Sequence, residues 1–112
     1  MARCVAASRL AMAAATFRRY LPEGRTAFHR WDTVRDGLPP EVETTKFHLV
    51  HVDGDGSRTG TLVDLRQGWV TVAPGGILVA SRTSQDARAE GTVSFLAWLV
   101  EEGQAFSSQF VY

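Results

Sequence analysis

Three groups of side chains in this chain could do chemistry. The first is His51 and Asp53, two residues apart in Leu49-Val50-His51-Val52-Asp53. On an extended strand that spacing puts both on one face, so the carboxylate could orient the imidazole as in a general base. No nucleophile stands at a telling spacing, Ser57 being near only in sequence, and a polar pair at a strand end accounts for the same residues. His48 lies three residues from His51, which turns the two rings to opposite faces and denies them a shared metal. His48 instead falls among the valines, as a hydrogen-bonded core or edge residue. The third histidine, His29, is remote in sequence.

The second group is Asp53-Gly54-Asp55-Gly56-Ser57, where Asp53, Asp55 and Ser57 occupy the first, third and fifth positions of a calcium-loop pattern and Asp64 the twelfth. Arg58 stands where that loop needs glycine for its sharp turn, and the flanks read as strands. The stretch is therefore expected to be a hairpin turn, with no metal and no cofactor.

The third group is Arg66, Trp69 and Arg82. Pairing across a turn at Gln67-Gly68 sets Arg66 beside Trp69, and the next hairpin sets Arg82 on its other side. An indole between two guanidinium groups is a platform for an anionic or aromatic ligand or a stacked base, and equally a structural cation–π packing. Asp64 shares that face and can neutralise Arg66.

The element expected to position all of these is a meander over residues 46–82. The run Lys46–Val52 is rich in β-formers and meets Asp55-Gly56, a strong hairpin signal. Gly60–Arg66, Trp69–Ala73 and Ile77–Ser81 follow, separated by Gln67-Gly68 and Pro74-Gly75-Gly76. Centring the turns pairs Val50 with Thr61, Val63 with Val72, and Val72 with Val79. One face then carries Val50, Val52, Val63, Leu65, Val70, Val72, Ile77 and Val79 as core. The other is mixed, with Phe47, Leu49, His51, Leu62, Asp64, Arg66, Trp69, Leu78 and Arg82. Apolar residues on that second face call for a cover, a ligand or a partner.

Around the meander, helices are expected at both ends. In residues 1–21, Ala6, Leu10, Ala13, Ala14, Phe17 and Leu21 form one stripe. The basic, acid-free composition there also resembles a transit or signal segment; a chain that starts at Met1 favours a retained helix. Thr26 could cap a shorter helix through Phe28, Trp31 and Val34 that stops at Gly37, with a strand over Phe28–Thr33 as the alternative. Residues 38–45 read as a linker. Residues 84–102 form the C-terminal helix, apolar nearly all round from Val93 to Val100 and closed by Gly103; Gly91 costs it about 1 kcal/mol relative to alanine and can move its start to Thr92. Residues 105–111, with Phe106 and Phe110 alternating, read as a terminal strand.

The expected fold is thus one α+β domain over 1–112, a four- to five-stranded antiparallel meander packed on one face by N- and C-terminal helices. The 112 residues, 45% apolar and 21% charged, suit a soluble globular domain able to bury roughly two thirds of its unfolded surface. Twelve basic and twelve acidic residues cancel, so no global field draws the chain to nucleic acid or an anionic membrane. The basic residues are nearly all arginine and asparagine is absent, the mark of a GC-rich, bacterial genome rather than of phosphate binding. Cys4 is the only cysteine, which excludes an intrachain disulfide and points to a reducing cytoplasm. No apolar run approaches a membrane span of ~18 residues.

No catalytic, metal or nucleotide motif rises above background. The mixed face favours a small non-enzymatic binding or interaction protein that forms a homodimer by covering it, with Phe47, Leu49, Leu62, Trp69, Leu78 and Phe110 as contacts. The alternatives are a small-ligand carrier or enzyme with a pocket on that face using His51, Asp64 and Arg66, and, disfavoured by the neutral charge, a nucleic-acid module built on Arg66, Trp69 and Arg82.

Overall fold

The computed structural model describes residues 7–20, 29, 31–54, 56–81, 86–104 and 106–107. Its elements in chain order are the helix α1 (Ala7–Tyr20), the single turns α2 (Thr33–Asp36) and α3 (Pro40–Glu43), the strand β1 (Phe47–Val52), the helix α4 (Arg58–Val70), the strand β2 (Val72–Ala80) and the helix α5 (Asp86–Glu101). The chain is α+β in character, but its sheet has two parallel strands among the described residues, not an antiparallel meander of four or five.

The departure begins at Ser57. Its hydroxyl accepts a 3.0 Å hydrogen bond from the Gly60 amide, so it caps a helix where a hairpin was expected. Residues 58–70 then form α4, and Gln67-Gly68 lies inside it instead of making a turn. The buried residues of this helix are Gly60, Thr61, Asp64, Leu65 and Gly68, a stripe at helical spacing in which only Leu65 is strongly apolar. A helix crossover also reverses the direction of the chain, so the strand that follows runs parallel to β1.

β2 takes in the last strand of the expected meander and the end of the one before it, whose Trp69 and Val70 belong to α4. Pro74-Gly75-Gly76 makes no hairpin; the partner of Phe47 is Val72, and the partner of Leu49 is Ile77. The extra residues of β2 bulge out, with Gly75 at φ 78°, a left-handed conformation that glycine takes without strain. Beyond the bulge, Val50 pairs with Leu78, His51 with Val79, and Val52 with Ala80. The parallel register overturns the expected pairs of Val50 with Thr61, Val63 with Val72 and Val72 with Val79. It also separates residues expected to share one face, because Ile77 and Val79 now alternate away from Val50 and Val52.

The core lies where α4 packs on one side of the sheet and α5 packs on α4. Val52, Leu65, Phe95 and Leu99 are buried there, with Val50, Leu62, Trp69, Leu78, Ala80, Leu96 and Trp98 packed against them. Glycine lets these layers approach. A Cβ on Gly68 would stand 3.1 Å from a Val52 methyl and 3.2 Å from one of Leu78, and a Cβ on Gly91 would stand 2.6 Å from the Arg58 carbonyl oxygen. Gly91 therefore sits well inside α5 as the point where α5 crosses α4.

Smaller features fix the ends. Asp32, not Thr26, caps α2, accepting from the Val34 and Arg35 amides at 3.1 and 3.2 Å, and α2 stops at Gly37 with φ 73°. The linker from Leu38 contains the turn α3, opened by Pro40 in its first position. α5 ends ahead of Gly103 at φ 68°. Thr26, Phe28 and most of the expected terminal strand fall outside the described residues. Among the described residues no helix is long and apolar enough to cross a membrane.

Candidate functional site

Alternation along the two strands decides which side chains face away from α4. Val50, Val52, Leu78 and Ala80 pack into or against the core, so Leu49, His51, Ile77 and Val79 point to the other side. Leu49 is 63% exposed, Ile77 60%, Val79 42% and Phe47, at the start of β1, 36%. Parallel sheets ordinarily have both faces covered, so an apolar face left open is a candidate interaction surface. Of the contacts expected from the sequence, Phe47 and Leu49 lie on this face. Leu62 and Leu78 pack against the core instead, Trp69 is inside the aromatic cluster of α4 and α5, and Phe110 lies outside the described residues. Ile77 and Val79, assigned by the sequence to the buried face, complete the surface.

The carboxyl ends of the two strands hold the polar groups. His51 Nε2 hydrogen-bonds Ser81 Oγ across the strand ends, and the Ser81 amide donates to the Val52 carbonyl at 3.1 Å. Asp53 does not orient His51, because its carboxylate is taken by Arg88 of α5, with Nη1 to Oδ1 at 2.9 Å. Arg88 Nη2 donates to the Gly54 carbonyl at 2.9 Å, and Nη1 reaches the Ser81 carbonyl at 3.4 Å. A Cβ on Gly56 would come within 3.1 Å of Arg88 Nε, so the second glycine of the loop lets the guanidinium sit flush. The result is a structural clamp between the loop after β1, the end of β2 and α5. Neither Arg88 nor Ser81 was legible as a partner of His51 or Asp53, since only the parallel register brings them together. The calcium-loop pattern does not assemble around Asp64, which lies inside α4, and Asp55 falls outside the described residues.

Arg66 is exposed on α4 and its guanidinium carbon lies 4.8 Å from the centroid of the Trp98 ring, not over Trp69. Trp69 meets Phe95 edge-on at 6.1 Å, and Phe95 stacks with Trp98 at 6.0 Å. Two shallow grooves flank Trp98. One, of about 340 Å³, is lined by Val63, Arg66, Gln67, Val70 and Trp98. The other, of about 380 Å³, is lined by Lys46, Trp69, Val70, Trp98, Glu102 and Gln104. Arg82 lies outside the described residues. Trp98 was read from the sequence only as part of an apolar helix, and its i to i+3 spacing from Phe95 was the available signal that it continues an aromatic row to the surface.

No family model, curated protein or solved structure matches this chain. Function rests on the geometry alone.

That geometry disperses the remaining trio of His51, Asp64 and Arg66. His51 is on the open face, Arg66 on the exposed side of α4, and Asp64 only 3% exposed between α4 and α2. Thr33 Oγ1 donates to Asp64 Oδ1 at 2.6 Å, and Gln67 Nε2 donates to the Thr33 carbonyl at 2.8 Å. Asp64 Oδ2 and Gln67 Oε1 are buried without a hydrogen-bond partner. Thr33 thereby holds both Asp64 and Gln67, and this cluster fastens α2 to α4 rather than opening a pocket.

Proposed function

We propose that the chain is a small, non-enzymatic interaction protein of the cytoplasm that pairs with a second copy of itself through the open face of its sheet. The observation that carries this reading is the exposure of Phe47, Leu49, Ile77 and Val79 together on the side opposite α4. The four side chains carry no charge, and the imidazole beside them is already satisfied by Ser81. A face of that kind complements itself across a two-fold axis, and two of them can stack as sheet on sheet at ~10 Å. The single cysteine supports a reducing compartment.

Magnitudes set the expected strength. Burying an aliphatic or aromatic side chain from full exposure is worth ~1.5–3 kcal/mol, and these four are already partly covered. Four from each copy then contribute on the order of 6–12 kcal/mol, against an association cost of ~4–15 kcal/mol. The expected dimer is weak and concentration-dependent rather than obligate.

Light scattering and sedimentation between about 1 μM and 1 mM, concentrations that bracket the affinity range of transient pairs, test this. The wild-type mass is expected to rise toward twice that of the monomer, and Leu49→Glu and Ile77→Glu are expected to hold the monomer with unchanged circular dichroism. A wild-type chain that stays monomeric at the highest concentration would overturn the reading, as would a dimer indifferent to both substitutions.

A further inference from the structure

The groove between Arg66 and Trp98 lies on α4 and α5, on the other side of the molecule's layers from the open sheet face, and does not depend on self-association. It is lined by Val63, Val70 and the indole of Trp98, together with Arg66 and Gln67, whose amide is engaged with Thr33. Val70 is 49% exposed although it is aliphatic. Among the described residues Arg66 has no carboxylate partner, and its guanidinium lies over the Trp98 ring. No acidic side chain among the described residues lines this groove, whereas Glu102 lines the neighbouring one.

We propose that this groove binds a small, flat aromatic molecule carrying a carboxylate. The chemistry is complementary part by part. A planar apolar body fills about 340 Å³ between the valines and the indole, a size within the usual range for small-ligand sites. The carboxylate takes the outer N–H edge of the guanidinium, whose fork geometry suits a two-oxygen acceptor. Stacking on Trp98 holds Arg66 over the ring and so spends less side-chain freedom on each bond it makes to a ligand. A neutral aromatic would gain the apolar contacts but leave that cation solvated.

1-Naphthoate, with 1-naphthylmethanol as its uncharged comparator, tests the site on the full chain. The three indole N–H resonances of Trp31, Trp69 and Trp98 are followed by heteronuclear NMR during titration, and affinity is read from the saturable shift. Trp98 is expected to shift and Trp31 to stay in place, with a dissociation constant on the order of 1 mM or tighter, the scale of fragment-sized ligands. Naphthoate is expected to bind at least tenfold more tightly than the alcohol. Arg66→Gln is expected to cost about tenfold for naphthoate while leaving the alcohol within about twofold, as loss of one charge-assisted contact implies. Arg66 is exposed, so the variant should fold, and an unshifted Trp31 signal verifies that it does. The same titration in Leu49→Glu separates the site from the sheet face and should give the wild-type result. The proposal is overturned if naphthoate leaves Trp98 unmoved, if acid and alcohol bind alike, if Arg66→Gln changes nothing, or if single-stranded oligothymidylate displaces naphthoate with the steep salt dependence of phosphate binding.

Discussion

Arg88 and Asp53 form an ion pair of 2.9 Å in which the cation is the buried partner, the Arg88 side chain being 10% exposed and that of Asp53 38%. The same guanidinium holds the Gly54 carbonyl at 2.9 Å, so one side chain of α5 secures the loop that leads from β1 into α4. Removing it leaves a buried carbonyl without a donor as well as a half-exposed carboxylate without a counter-charge. Arg88→Met is expected to destabilise the fold by about 2–4 kcal/mol, read as a shift in the urea midpoint at unchanged m-value. Arg88→Lys is expected to recover little of this, because a single ammonium cannot reach both acceptors in a fork.

Gly91 offers a test in which propensity and packing oppose each other. Alanine is the better helix former by about 1 kcal/mol, yet its Cβ would meet the Arg58 carbonyl oxygen at 2.6 Å and Thr61 Cβ at 2.8 Å. The nearest of these atoms is backbone and cannot swing away, so α5 must shift off α4. Gly91→Ala is expected to lower stability by about 1–3 kcal/mol, the range for overpacking, checked by thermal and urea unfolding. A stabilised variant would mean that the helices do not cross at this point.

Legibility followed the kind of residue that fills the interface. α5 could be read from its apolar run and from Gly103, because Phe95 and Leu99 are buried in its second half, after Arg88, Gly91 and Thr92 in its first, and its stop is a left-handed glycine. α4 could not, because its buried stripe is Gly60, Thr61, Asp64, Leu65 and Gly68. Small and polar residues take the place of apolar ones where a helix lies close to a sheet, and the visible β-formers Leu62, Val63 and Val70 then suggest strands. A reading of residues 58–70 as strands and a turn takes the sheet direction and the faces of Ile77 and Val79 with it. The alternation within β1 was legible, which is why Phe47 and Leu49 remain together on the open face while Leu62 and Leu78 leave it.

Thr33 and Asp64 lend themselves to a double-mutant cycle. Thr33→Val removes the only donor among the described residues to a carboxylate that is 3% exposed, and it is expected to destabilise by about 1–3 kcal/mol. Asp64→Leu added to it removes the stranded acceptor and supplies apolar surface, so the double variant is expected to be more stable than Thr33→Val alone. The non-additivity, on the order of 1 kcal/mol or more, is measured by urea unfolding of all four proteins.

Leu65 and Leu99 are each 1% exposed and meet where α4 and α5 close on the sheet. Leu65→Ala and Leu99→Ala are each expected to cost about 2–5 kcal/mol. Leu62→Ala, at a partly buried site on the same helix, is expected to cost less than either. Equal losses at all three would place the core elsewhere on α4.

The bulge at Pro74-Gly75 has a bearing on how the chain behaves in bulk. A two-stranded sheet presents a free backbone edge on each side, and such edges can recruit further strands without limit. In β2 the edge is interrupted by a proline that has no amide hydrogen to offer and by a glycine turned to φ 78°. An incoming strand cannot run in unbroken register along it. The proposed pairing through the flat side of the sheet would end at two molecules, and the interrupted rim of β2 offers no template for strand-by-strand growth along that edge.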